Sequence, residues 1–278
     1  SEMCIRDRMS EKKKVEGSRF LRESKPALKH LLGILLRKYG YASILAVDSE
    51  AKIYSVAASG INIGDFGMLC NRGFVIKVYN EGEYAEYSFN KLERDVTEQA
   101  QQIIEQIEAL KKAVPDKLER IKLGMLEDKP LKFSKSTEYE INPFETGAQN
   151  IIDKLTALRK KGLEADERML DCTARMSCQK YSKLFLSENK DMEQNVLWTD
   201  CAMSFLARRG NEVKSYFSSA SNLGGSEILE SLEADIPHSV EMTVALLDSE
   251  PMVPGEYDCI CTPEVTGMIV HEAFGHGV

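Results

Sequence analysis

The chain has 278 residues, of which 43% are hydrophobic and 29% charged, with a formal net charge of -8 and a pI near 5.3. That is enough apolar material for a sizeable core, which excludes a disordered or fibrous protein, and the length suggests about two domains. The acidic balance argues against a broad nucleic-acid-binding surface, because phosphate contacts need clustered Lys and Arg.

Residues 1–14 read as a tail. Residues 1–8 show no apolar period, resemble translated adapter sequence ahead of an ordinary start at Met9, and are set aside as artefactual. The single basic cluster, Lys12 to Lys14, falls in this tail. Apolar positions Leu21, Leu28, Leu31, Leu32 and Leu35 fall at helical spacing, and Gly40 follows the basic pair Arg37-Lys38, so residues 20–38 are predicted to be a helix with a C-terminal stop. Its apolar run, Leu31 to Leu36, is too short for a membrane span and too far inside the chain for a secretory signal. A cytoplasmic protein is expected.

Two β-hairpins follow. The first joins residues 41–47 to 51–58 through Asp48-Ser49-Glu50, and the second joins 74–79 to 83–89 through Asn80-Glu81-Gly82. A helix over residues 91–113 is carried by Val96, Ala100, Ile103, Ile104, Ile107 and Leu110. Residues 129–146 have weak periodicity and read as a connector. After a helix over 148–161, residues 168–219 return to strands, with turns at 187–191 and 209–211. Leu197, Cys201, Met203 and Phe205 share a period of two and are placed on a buried sheet face, with Asp200 and Ser204 pointing away. A helix over 226–247, interrupted near Pro237, leads to a boundary at 248–255. Beyond it, residues 257–261 read as a strand, and Thr262-Pro263-Glu264 opens a last helix with a suitable N-cap, a proline at N1 and an acid in the first turn.

The fold class expected is therefore α+β: an N-terminal mixed domain of small antiparallel sheets with covering helices, followed by the start of a second domain that carries the last helix. The domain bounds are 15–250, with sublobes at 15–115 and 116–250, and 251–278. Seven cysteines scattered through a chain this long do not make a disulfide scaffold, and reduced, mostly buried thiols are expected. Cys259 and Cys261 are read as buried strand thiols rather than metal ligands. His30 and His238 are read as structural or solvated, Trp198 most simply as a packed strand residue with an exposed position lining a peptide groove as the alternative, and Arg208-Arg209 as solvated. Gly224-Gly225 is read as a flexible linker in preference to an anion site.

The chemistry gathers at the end of the sequence. His271 and His276, two of only four histidines, flank Glu272. Roughly 0.009 matches of this kind are expected by chance in a chain of this composition. Zinc sites commonly combine imidazole ligands with an open position for water, and a nearby carboxylate can take a proton from that water. The interval of five residues sets a condition. Positions five apart lie about 140° apart around a straight α-helix, so both imidazoles reach one ion only if the helix widens by a residue into a π turn, with Gly275 the place where the backbone yields.

The stretch from Tyr257 through Pro263 and Gly267 to His271-Glu272-Ala273-Phe274-Gly275-His276-Gly277 resembles the active-site segment of the TldD/PmbA family, also called modulator of DNA gyrase. The upstream order of helix, hairpin sheet, long helix, second sheet and helix is similar too, so the resemblance covers nearly the whole chain from about Ser24. The intact motif favours the TldD side, since PmbA-like members share the architecture but lack it. The resemblance implies a zinc metallopeptidase acting on unfolded or small peptides, with His271 and His276 as zinc ligands and Glu272 as general base and acid. It further implies a third ligand, a cysteine, beyond Val278 in a β-rich C-terminal metallopeptidase domain, which leaves the 278 residues inactive alone. A homodimer, or a heterodimer with a PmbA-like paralogue, is implied, with no direct binding of nucleic acid or membrane. The competing expectation is a non-catalytic binding or scaffold subunit of such a dimer, against which a carboxylate between two ligand histidines argues.

Overall fold

A computed structural model describes residues 12–65, 71–113 and 122–277. The adapter-like segment, Cys4 and Cys70 lie outside the described residues. The chain divides into two compact units, Ser1–Leu247 and Asp248–Val278.

The first unit opens with a short strand β1 (Lys13–Lys14) and helix α1 (Arg19–Leu36). Ser18 caps α1 by accepting the Leu21 N–H at 3.2 Å, which satisfies one of the donors a helix start leaves over. The predicted stripe is the buried one: Leu21, Leu28, Leu31, Leu32 and Leu35 all face the core. Strands β2 (Tyr41–Ala57), β3 (Gly60–Asp65), β4 (Arg72–Asn80) and β5 (Glu83–Phe89) follow, then helix α2 (Val96–Ala113). After β6 (Leu131–Ser136) and β7 (Glu138–Tyr139) come helix α3 (Ala148–Glu164) and three long strands, β8 (Met169–Ser187), β9 (Lys190–Arg209) and β10 (Glu212–Leu223). A 3-10 turn at Ser226–Ile228 leads into α4 (Leu229–Ala245).

The class is α+β as expected, but the sheets are not small and separate. One eight-stranded sheet runs β10-β9-β8-β2-β4-β5, with β3 also on β2 and β6 also on β9. Its centre is the antiparallel pair β2–β8, in register from Ser43 opposite Ser187 to Val56 opposite Ala174. That pairing crosses the boundary drawn near residue 115 and fuses the expected sublobes through their backbones. The predicted hairpin turn at Asp48-Ser49-Glu50 is instead the middle of β2, and the chain reverses between β2 and β3. The polar triplet has partners elsewhere. Asp48 accepts from Ser18 Oγ at 2.5 Å and from Arg72 Nε at 2.9 Å, while Ser49 bonds the backbone of Asn71 and Glu50 pairs with Lys180 at 3.7 Å. The predicted connector over 129–146 also contains structure, since β6 runs parallel to β9. Its order comes from that partner rather than from its own weak alternation.

Side chains alternate across a strand, so Ile44, Ala46, Tyr54 and Val56 share one face of β2. Two hydrophobic clusters lie on that face. Helices α1 and α2 pack over Ile44, Phe74, Ile76, Leu184 and Leu186, and α3 and α4 pack over Tyr54, Met176, Cys201, Met203 and Phe205. Each fully buried aliphatic side chain contributes about 1.5–3 kcal/mol. Among the described residues no helix packs on the opposite face, where Ser177, Gln179, Trp198 and Asp200 line an open cavity of about 260 Å³. Such one-sided covering is what an antiparallel sheet tolerates. No helix among the described residues is long and apolar enough to cross a membrane.

The second unit is small. Residues 251–262 have no regular structure, so the predicted strand over 257–261 is absent; nothing pairs with it along its length. Helix α5 (Pro263–Val270) continues directly into a π-helical turn, His271–Gly275.

Candidate metal centre

The residues that open α5 act as their types predict, with one change. Thr262 stands at the N-cap in an extended conformation (φ -66°, ψ 163°) and Pro263 occupies the first turn, where its missing N–H costs nothing. The Thr262 side chain does not cap the backbone. It bonds Glu264, whose carboxyl is held below its usual range first by its own backbone N–H and then by that hydroxyl.

Eight residues on, the helix widens. The His276 N–H donates to the His271 carbonyl at 3.1 Å, a bond that spans five residues where an α-helix spans four. The extra residue brings position i+5 to the side of the helix that i+4 would occupy. The two imidazoles consequently meet, Nε2 to Nε2 at 2.9 Å, with ring centroids 4.5 Å apart and planes at 83°. One possible ligand atom from each of His271, Glu272 and His276 lies within 4.8 Å of the others, and all three side chains are exposed. The arrangement presents two nitrogen donors to one point, with a carboxylate beside it.

The other residues singled out in the sequence have surroundings of their own within their units. Cys259 and Cys261 are exposed rather than buried, because the strand expected to bury them does not form. His30 Nε2 lies 3.2 Å from Thr97 Oγ1, tying α1 to α2, and His238 on α4 meets the Tyr216 ring edge-on at 6.2 Å. Trp198 is 41% exposed, not packed. Arg209 is more than solvated, since it donates to the Leu247 carbonyl and lies 3.6 Å from Glu212. Gly224-Gly225 is no linker. The Gly225 N–H donates to Glu227 Oε1 at 2.7 Å, and the same carboxylate accepts from Glu140 N and Ile141 N at 3.2 and 3.0 Å. The place where an anion would sit at this helix start is filled by the protein's own glutamate.

In comparisons with known proteins, no family model matches the sequence. A stretch of 76 residues is 34% identical to a metalloprotease of Methanothermobacter thermautotrophicus, covering 27% of this chain and 17% of that protein. Among the solved structures that resemble the chain are three of 16–17% identity. Two are described as a "putative modulator of DNA gyrase". The one from Thermotoga maritima has a TM-score of 0.61 at 16% identity, over 83% of this chain and 50% of that one. The one from Bacteroides thetaiotaomicron has a TM-score of 0.55 at 17% identity, over 80% of this chain and 49% of that one. TldE from Thermococcus kodakarensis has a TM-score of 0.56 at 17% identity, over 80% of this chain and 47% of that one. The chain thus spans about half the length of the solved structures it matches. These likenesses show that the chain carries the fold of the modulator-of-DNA-gyrase proteins and TldE, the fold expected of the TldD/PmbA family.

Proposed function

We propose that this chain supplies two ligands and the proton-transferring carboxylate of a TldD-type zinc metallopeptidase. The observation that carries the reading is the π turn, which places two Nε2 atoms on one point despite a five-residue interval. Two nitrogens bound to one tetrahedral zinc at about 2.0–2.1 Å are about 3.3 Å apart. The present 2.9 Å therefore needs to open by only a few tenths of an ångström. The likeness to a metalloprotease over 76 residues and the shared fold support a metallopeptidase family.

In this reading His271 and His276 present their ring nitrogens to the metal and fix where water and the scissile carbonyl meet. Zinc, when bound, lowers the pKa of a coordinated water and polarises the carbonyl. With the metal bound, Glu272 would take the proton from the attacking water and return it to the leaving amine. The exposure of all three side chains leaves room for an extended peptide. A third protein ligand, a cysteine by the family resemblance, comes from outside these 278 residues. The protein works in the cytoplasm on unfolded or small peptides, as a homodimer or paired with a PmbA-like paralogue.

The test is Glu272→Gln in the full-length protein, with metal content and peptide turnover measured together. Turnover should be abolished with the metal still bound. Undiminished hydrolysis by Glu272→Gln protein would remove the carboxylate from the mechanism.

A further inference from the structure

Two glycines flank the second candidate ligand, and only one of them is required by geometry. Outside the backbone of its own helix, a Cβ added at Gly275 would find His271 Nδ1 at 3.6 Å and His271 Cγ at 4.0 Å, both ordinary van der Waals distances, and a helical backbone accommodates a Cβ without strain. Gly275 also lies outside the set of residues with positive φ, so nothing in its backbone demands glycine. A Cβ added at Gly277 would lie 2.7 Å from the Ala273 carbonyl oxygen and 3.6 Å from its carbon. That oxygen belongs to the backbone of the π turn between the two histidines and cannot swing away as a side chain would.

From this contrast we infer that Gly277 is a positioning residue for the metal pair, and that Gly275 is not. His276 ends the turn with φ -101° and ψ -16°. Residue 277 then comes close to the Ala273 carbonyl, and the approach is open only while it has no side chain. A methyl group there must open the turn at His276, shift Ala273, or do both. Either movement loads the bond from His276 N–H to the His271 carbonyl that holds the imidazoles together. The spacing of the two Nε2 atoms therefore depends on a residue that contributes no donor of its own. This inference rests on the proposed metal site and adds a specific backbone requirement to it.

The experiment compares Gly277→Ala, Gly275→Ala and His271→Ala in the full-length protein. Zinc affinity is read by competition with a chromophoric chelator, cobalt(II) substitution gives a visible spectrum, and circular dichroism follows melting. Gly277→Ala should weaken zinc binding roughly tenfold or more, the scale seen when the support of a ligand is lost, and should shift the cobalt bands. Gly275→Ala should bind like wild type with an unchanged spectrum. Wild-type affinity and spectrum in Gly277→Ala would overturn the inference, as would a loss in Gly275→Ala equal to that in Gly277→Ala. Metal loss in Gly275→Ala contradicts the assignment even if Gly277→Ala does not fold. His271→Ala separates the two levels: full affinity in that variant would sink the metal site itself, whereas loss there with none in Gly277→Ala would sink only the role of Gly277.

Discussion

His276 is joined to His271 twice, once through the backbone at 3.1 Å and once through the rings at 2.9 Å between Nε2 atoms. The first bond makes the second geometry possible, because a turn that closes over five residues is what returns the second imidazole to the first. Changing the interval should therefore have opposite effects in the two directions. Deleting Ala273 leaves an interval of four, which a regular α-helix places on one face, so zinc binding in the full-length protein should survive. Inserting an alanine after Ala273 leaves six, which neither turn brings together, and binding should fall roughly tenfold or more. Isothermal titration with zinc checks both; equal affinity in the insertion variant would show that the spacing does not matter.

The meeting of the two imidazoles was legible in the sequence because its constraint is local. The interval of five between His271 and His276 is a one-dimensional fact, and the widened turn follows from the helical repeat. The stripe of α1 and the inward face of β9 were legible for the same reason, since periodicity records which side of an element meets the core. Pairings between distant segments were not. Nothing near Asp48-Ser49-Glu50 shows that Ser18, Arg72 and Lys180 will meet it, so a polar triplet that reads as a turn is the middle of a 17-residue strand. The register of β2 on β8 joins residues more than a hundred positions apart, and β6 becomes a strand only because β9 offers it an edge. The Gly224-Gly225 pair misled in the same way, because the groups that pin it, Ile141 and Glu227, act across the fold or through a side chain.

That pair gives a stability prediction. The Gly225 Cβ position lies 1.8 Å from the Ile141 carbonyl oxygen, and the Ser226 N–H donates to that same oxygen at 3.0 Å. An alanine must push the connector off the start of α4 and loosen the bonds from Glu140 and Ile141 to Glu227. Gly225→Ala should destabilise the first unit by about 2–3 kcal/mol, measured by urea unfolding. Gly210→Ala, at a turn where no neighbour lies within 4 Å but φ is +63°, should cost about 1 kcal/mol. A smaller loss at 225 than at 210 would contradict the close approach.

Asp191 gives a prediction in pH. Lys25 and Lys29 on α1 both reach it at 2.7 Å, and Lys25 also reaches Glu193 at 2.6 Å, so the helix is clamped to the start of β9. Burial alone would raise the Asp191 carboxyl, but the hydrogen bonds and charges of the two lysines outweigh it and hold it below its usual range. A folded-state pKa below the unfolded value near 3.9 contributes stability that is complete above that value and is lost as pH falls through the folded one. Wild-type stability should therefore drop as pH falls below about 4. Asp191→Asn should start lower at neutral pH and show a shallower drop. Identical pH profiles for the two proteins in denaturant titrations would remove Asp191 from the acid response.

The thiols sort by burial, and their reactivity should follow. Cys172, Cys178 and Cys201 lie on the covered face of the sheet, and desolvation pushes them up to about 12, 11 and 12. Since the thiolate is the reactive form, a buried thiol with so high a pKa is almost wholly protonated near neutrality and is also shielded by α3 and α4. Cys259 and Cys261 are exposed in a segment without regular structure. In the 278-residue chain at pH 8, a maleimide should label Cys259 and Cys261 within minutes. Cys172, Cys178 and Cys201 should remain unlabelled until the first unit unfolds. Peptide mapping by mass spectrometry assigns each site, and a denaturant series gives the order. Labelling of Cys178 or Cys201 at the rate of Cys259 in the native protein would mean that the helical layer opens far more readily than its packing implies. Labelling of all three core thiols together at the unfolding midpoint would instead show that the cluster under α3 and α4 opens only with global unfolding.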